Sequence, residues 1–265
     1  MAHDHLEMEY FTFMSMSISL FCALIFIGYF TLALIQKNYK RRWPWSRIFY
    51  MFIACSCLIM LIFSPIVEQS HEYFSFHMLV HLVVGMFAPL MIVLAAPFVL
   101  IVRSLPVRVA RIMIRICKSL YFRIVLNPYI SGVINIGGLW VLYTTPLYTL
   151  MHEYALLNII IHLHIFIAGY FFTLSLVYIE PVFHRKKYYH RFIALIISIA
   201  LHGMLAKYLY IHPPVGVDVV EAQKGVLLMY YGGDIVDGII MFIIGYQWYL
   251  ENKMGLIVKE ESVQA

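Results

Sequence analysis

Histidines recur inside the hydrophobic runs of this sequence, where ionisable side chains are uncommon. His77 and His81 stand four residues apart near the start of a long apolar stretch, and His162 and His202 lie well inside two later stretches. Neutral imidazole binds copper, zinc, iron and nickel. One such histidine is most simply a hydrogen-bonding group between helices. Four of them at overlapping depths favour a metal or proton site.

Sulfur and carboxylate side chains accompany these histidines. Met78 and Met204 bring thioethers close to two of them in sequence, and thioether ligands select Cu(I). Methionine is also a common filler of apolar cores. Asp234 lies at a similar depth in the last apolar stretch, where it would balance charge or hydrogen-bond a liganding imidazole. These side chains predict a metal or proton site with His77, His81, His162 and His202 at its core, in which thioether ligands would favour copper.

The elements that must position these residues are membrane-spanning helices. Of the 265 residues, 63% are hydrophobic and only 12% are charged, a balance that excludes an ordinary soluble domain. A spanning helix needs about 20 mostly apolar residues. Seven segments meet this need, so the prediction is an all-α, seven-helix bundle that forms one integral membrane domain over residues 1–265. The predicted helices cover residues 14–35, 48–67, 77–102, 130–150, 155–178, 192–211 and 225–250.

The basic residues predict the orientation of this bundle. All of the 19 Lys and Arg except Lys207 and Lys224 fall on one side of the predicted membrane, which marks that side as cytoplasmic. The N-terminus is then expected outside and the C-terminus inside. Residues 106–123 are basic and amphipathic, which predicts a helix on the inner membrane surface. Because the basic residues are confined to these loops, the net charge of +5 does not indicate binding to nucleic acid.

The third predicted helix carries its own irregularity. His77, His81, Gly85 and Pro89 follow one face at steps of four residues. Pro89 has no N–H to donate to the carbonyl of Gly85, so the helix should kink or loosen there. That arrangement fits either a ligand-sized space below the histidines or the close packing of another helix against Gly85. The sequence leaves both alternatives open.

Three stretches of the sequence resemble a known family. They are HMLVHLVVGMFAPLMIVLAAPFVLIVRSLP at 77–106, HLHIFIAGYFF followed by YIEP at 162–181, and AQKGVLLMYYGGDIVDG at 222–238. The sequence resembles the CtaG family of cytochrome c oxidase assembly factors, the seven-helix type found with caa-type oxidases. His162 and His164 match family histidine positions, Glu180 and Pro181 match an acidic-Pro pair, and His202 matches a histidine of the sixth helix.

The last stretch departs from the family pattern. Ala222 stands where an acidic residue is usual, Asp234 where glutamate is common, and Tyr230 or Tyr231 where tryptophan is usual. These differences are confined to the last stretch and leave the resemblance intact.

The resemblance implies a bacterial plasma-membrane protein that matures a haem–copper oxidase and delivers copper to it. Its partners would be oxidase subunits, the lipid bilayer and an extracytoplasmic copper donor. Transfer would proceed by ligand exchange, so no enzymatic activity is expected. His164 belongs to the family pattern, but it points about 200° away from His162 on the helix. The expected site residues are His77, His81, His162, His164, His202, Asp234, Met78 and Met204.

Three other functions remain open at the level of sequence. Histidines on facing helices would suit a haem-binding membrane oxidoreductase, although no stacked inner and outer pairs typical of a two-haem conduit are evident. A copper or small-solute transporter would use the same buried ligands. A scaffold for oxidase subunits would use the histidines only for hydrogen bonds between helices.

Overall fold

In a computed structural model the chain is described for residues 2–36, 42–63 and 73–264, with side chains at 16–36, 42–61 and 73–253. The described residues form helices and turns and contain no strand. The helices are α1 (Ala2–Ile35), α2 (Trp45–Phe63), α3 (Phe74–Leu82), a π-helical turn (Val83–Phe87), α4 (Ala88–Ala95), α5 (Pro97–Ser104), α6 (Val107–Cys117), α7 (Leu120–Val125), α8 (Pro128–Thr144), α9 (Leu147–Glu153), α10 (Ala155–Leu176), α11 (Tyr188–Ile211) and α12 (Val219–Gln264).

The polytopic membrane architecture is confirmed, whereas the count of seven spans and the orientation remain predictions. In the described part of the chain, five segments are long and apolar enough to cross a bilayer, and a bent pair of helices brings the number to six. A shorter apolar helix, Trp45–Leu61, lies where the second span was predicted. The predicted residues 64–67 of that span lie outside the described residues.

The fourth predicted helix is not continuous. The sequence predicted one helix over 130–150, but α8 ends at Thr144 and α9 begins at Leu147, with a bend of 78° between them. Pro146 at the N-cap of α9 explains the break, because proline disfavours helical geometry in the residue before it. Because of this bend, His152 of α9 lies beside His77 of the third span.

The third span is interrupted twice. The predicted loosening near Gly85 is confirmed as the π-helical turn Val83–Phe87, where Pro89 cannot complete the regular ladder. A second interruption comes at Ala96, which has a left-handed backbone with φ of 53° just before Pro97. The sequence analysis did not foresee this second break.

Side chains from elsewhere satisfy the backbone groups that the break at Ala96 exposes. The hydroxyl of Tyr29 donates to the carbonyl of Ala95 at 2.7 Å. On the other side of the break, the N–H groups of Phe98 and Val99 donate to the carboxylate of Glu180 at 2.8 and 3.1 Å. Because unpaired backbone groups are costly in a membrane, Glu180 holds the N-terminus of α5 in place.

The interrupted third span lies at the centre of the bundle. Helix α3 packs against α12, the π-helical turn and α4 pack against α10, and α2 packs against α4. Helices α8 and α11 complete the bundle by packing against each other, with α10 beside α8 and α12 beside α11. Helix α6, the first part of the predicted surface segment, buries none of its residues. The histidines of α3 therefore face the middle of the molecule.

Candidate metal centre

Aromatic rings and imidazoles gather where α3, α8, α9 and α10 meet. The ring centroid of His77 lies 5.9 Å from that of His152 and 6.2 Å from that of His162. Tyr148 approaches the same imidazole, with ring centroids 5.2 Å apart, and the Tyr143 hydroxyl lies 3.1 Å from its Nε2 atom. These five residues are called the outer cluster below. The bend between α8 and α9 brings His152 and Tyr148 into the outer cluster.

Two histidines of the outer cluster are oriented by backbone carbonyls. The Nδ1 atom of His152 lies 2.8 Å from the carbonyl oxygen of Tyr148, and Nδ1 of His162 lies 2.9 Å from that of Asn158. A carbonyl oxygen can only accept, so each Nδ1 must carry the proton. In the neutral ring, Nε2 is then the nitrogen with the lone pair. This is the arrangement by which proteins fix the tautomer of a liganding histidine.

A small polar cavity lies on the other side of Tyr143, deeper in the bundle. Its volume is about 20 Å³, which is enough for a single water molecule or ion. Both ring nitrogens of His81 and the Nε2 atom of His202 are buried there without a hydrogen-bond partner. We call this cavity the inner chamber. Its polar lining consists of His81, Asn135, Thr173, Ser198, His202 and Asp237.

Glycines let the helices approach closely around the inner chamber. A β-carbon on Gly233 of α12 would lie 2.6 Å from Cε1 of His202, and one on Gly85 would lie 2.8 Å from Cγ2 of Ile165. Helix α10 therefore packs directly against the π-helical turn. Both alternatives left open by the sequence hold in part, because Gly85 is in close contact with α10 and also lines the chamber.

The structure divides the predicted core residues into two levels. His77 and His162 belong to the outer cluster, and His81 and His202 line the inner chamber. Tyr143 lies between the levels, with ring centroids 6.0 Å from His77 and 6.3 Å from His81. The four histidines, which were predicted to lie at overlapping depths, form two neighbouring pairs.

The other predicted site residues are not members of the outer cluster or of the lining of the inner chamber. His164 is exposed and its Nε2 atom lies beside Gly138 of α8, as its position on the helix predicted. Met204 is 51% exposed, whereas Met78 is fully buried and packs against Gly225 of α12. Asp234 is exposed on the outer face of α12. None of these four residues lines the inner chamber.

Three residues that the structure brings into the site were not among the predicted site residues, although Asp237 had been counted with Asp234 as a carboxylate near the histidines. Asp237, which is 5% exposed, takes the place in the inner chamber that was expected for Asp234. A signal for it was present, because Gly233, Asp237 and Ile240 share one face of α12. Tyr143 and His152 carried no comparable signal, since their positions depend on the bend between α8 and α9.

The described residues do not hold a preformed metal site. Within the described ranges, no three His, Cys, Asp or Glu side chains stand in positions that could already hold an ion. The outer cluster instead offers imidazoles in ring contact, two of which have a fixed proton position. Holding an ion would require these side chains to change their orientation.

A family model described as cytochrome c oxidase caa3 assembly factor (CtaG) matches residues 20–251. The chain belongs to this family of oxidase assembly factors. The match includes every residue of the outer cluster and of the inner chamber. Together with the apolar helices, the family identifies a multi-pass protein of the cell membrane.

Curated relatives extend the family without adding a function. Uncharacterized proteins of Mycobacterium bovis and Mycobacterium tuberculosis are each 24% identical over 169 residues, which is 61% of this chain and 26% of theirs. One from Mycobacterium leprae is 23% identical over 172 residues, covering 62% of this chain and 26% of its own. The chain thus spans about a quarter of the length of these relatives. No solved structure matches the chain.

Proposed function

We propose that this assembly factor binds copper at the outer cluster and passes it to the oxidase. The observation that carries the proposal is the contact of His77 with His152 and His162, at centroid distances of 5.9 and 6.2 Å. An imidazole nitrogen lies about 2 Å from a bound metal, so rings that share an ion have centroids about 5–6 Å apart. In this proposal the ring of His77 turns toward His152 and His162, and the three imidazoles form a three-nitrogen site.

The fixed tautomers support the same assignment. His152 and His162 direct their protonated Nδ1 atoms at carbonyl oxygens, which leaves Nε2 as the nitrogen able to donate to a metal. Three imidazoles without a carboxylate suit copper or zinc in preference to magnesium or calcium. The role of the family in maturing an oxidase favours copper between these two. In this proposal the protein carries copper as cargo and catalyses no reaction.

The inner chamber argues against a haem. Its volume of about 20 Å³ accommodates one water or one ion, and not a macrocycle that uses His81 and His202 as axial ligands. We assign His81 and His202 to a second polar layer next to the copper ligands. The carboxylate that accompanies them is Asp237, and not Asp234 as the sequence predicted. An extracytoplasmic copper donor and the oxidase subunits are the partners that the proposal requires.

Metal analysis of protein purified in detergent tests the proposal. After loading with Cu(I) and removal of excess metal, wild type should retain about one copper per chain. The His77→Ala and His162→Ala variants should lose most of it. His164→Ala is the matched control, because this histidine lies on the same helix as His162 but faces outward, and it should retain copper like wild type. Equal copper in all four proteins would overturn the proposal, and a Soret band without copper would favour haem.

A further inference from the structure

The outer face of α12 carries a carboxylate inside the membrane. Asp234 is exposed and lies about 23 Å from one end of the candidate span Val219–Lys253 and about 28 Å from the other. It makes no hydrogen bond or ion pair with any other described residue. Ionisable side chains within spans almost always face the protein interior or a partner, since their exposure to lipid is costly. No side chain in the described part of the chain partners this carboxylate, which points to a partner from outside.

Two glycines extend the same face toward the cytoplasmic end of the helix. Gly238 and Gly245 follow Asp234 by four and eleven residues, which keeps all three within about 40° of one another around the helix. A β-carbon on either glycine would meet nothing within 4 Å. Neither glycine is therefore needed for packing against the residues that the structure describes.

The remaining glycines of α12 show what glycine does when it is needed. A β-carbon at Gly225 would lie 2.7 Å from Phe74, and one at Gly233 would lie 2.6 Å from His202. On these sides glycine admits a neighbouring helix at close range. Small residues serve the same purpose between separate helices in membranes. Gly238 and Gly245 leave such a groove open on a side where none of the described side chains comes within 4 Å of a β-carbon.

We propose that the face formed by Asp234, Gly238 and Gly245 binds a transmembrane helix of the oxidase that the family assembles. The bound helix carries a basic or hydrogen-bond-donating side chain opposite Asp234, because only such a group compensates a carboxylate in lipid. A second copy of this chain does not meet that need. A two-fold contact through this face would bring two Asp234 carboxylates together. The proposal rests on the assembly role of the family and is independent of copper binding.

Co-purification from membranes tests the proposal. Tagged protein is isolated in a mild detergent, and the recovered oxidase subunits are quantified per chain by mass spectrometry and by haem absorbance. Gly238→Leu fills the groove and Asp234→Leu removes the carboxylate, so each should lower recovery about tenfold. Gly137→Leu is the matched control, because Gly137 on α8 also has nothing within 4 Å of a β-carbon. It should recover the oxidase like wild type.

Further measurements separate the outcomes. Thermal midpoints and copper content of the α12 variants should match wild type, which distinguishes a lost interface from a damaged fold or metal centre. Wild-type recovery by both folded α12 variants would overturn the proposal. So would a wild-type homodimer that Gly238→Leu dissociates, because it would identify a second copy as the occupant. If one of the two α12 variants fails to fold, the other still tests the proposal, because the two substitutions alter different groups.

Discussion

The carbonyl oxygen of Gly85 occupies the space that a β-carbon on Gly169 would need. The π-helical turn and α10 are therefore in backbone contact, directly beside the inner chamber. The contact follows from Pro89, which cannot donate to this carbonyl and leaves it directed at the neighbouring helix. The same contact fixes the distance between the helices that carry His81 and His162.

Replacement of Gly169 by alanine should force α10 away from the third span. The added methyl meets backbone and not a flexible side chain, so we expect destabilisation of about 1–3 kcal/mol, the usual cost of overpacking. The thermal midpoint in detergent should fall accordingly. Gly137→Ala, in open space on α8, should be neutral or slightly stabilising because alanine is the better helix former. Equal midpoints for the two variants would contradict the packing described here.

Removal of the Tyr143 hydroxyl should weaken metal binding without loss of the fold. This hydroxyl lies 3.1 Å from Nε2 of His77, and groups that orient a ligand typically contribute 10–100-fold to metal affinity. We expect Tyr143→Phe to lower copper affinity by about that factor in a competition titration with a chelator. Tyr154→Phe, at a residue that is 59% exposed, provides the comparison. An unchanged copper affinity in Tyr143→Phe would show that the Tyr143 hydroxyl does not contribute to metal binding.

Glu180 should make the stability of the protein depend on pH. Burial raises the pKa of Glu180 from 4.5 to about 7, although its hydrogen bonds to Phe98 and Val99 and the charge of Arg47 lower it. The folded protein then binds more protons than the unfolded chain between these two values, so stability falls as pH rises through that window. Above about pH 7 and below about pH 4.5 this contribution is constant.

The Glu180→Gln variant isolates this effect. Glutamine keeps the size and one acceptor oxygen of the side chain but does not titrate. The difference in thermal midpoint, wild type minus variant, should decrease between about pH 5 and about pH 8. A difference that is flat over this range would show that the carboxylate at the break of the third span keeps one protonation state.

Arg191 should stabilise the contact between the first turn of α11 and the helices α10 and α12. It is 1% exposed, and its Nη1 atom donates to the carbonyl of Leu176 at 2.9 Å and to the side-chain oxygen of Gln247 at 2.7 Å. Arg191→Met leaves both acceptors unpaired, which should cost about 1–3 kcal/mol. Chemical unfolding in detergent measures this cost. Arg111→Met on the exposed helix α6 should change stability little, and a similar loss in both variants would argue against the buried contacts.

The sequence by itself determined the membrane class, the helical content and the family. Apolar length is a local property, so the runs that hold the helices could be read directly. The irregularity at Gly85 was also predictable, since Pro89 removes a specific hydrogen bond. The spacing of His162 and His164 on one helix was enough to show that only one of them can face the site.

Only the tertiary structure decided which polar groups meet. The rotation of α12 is set by packing against α3 and α11, and this rotation buries Asp237 in the chamber and leaves Asp234 on the outer face. The bend after Thr144 brings His152 over the core, and the break at Ala96 depends on Tyr29 and Glu180 from distant parts of the chain. Such features depend on contacts between helices. Sequence periodicity indicates which face of a helix is buried, but the helix that packs against that face is determined only when the whole bundle packs.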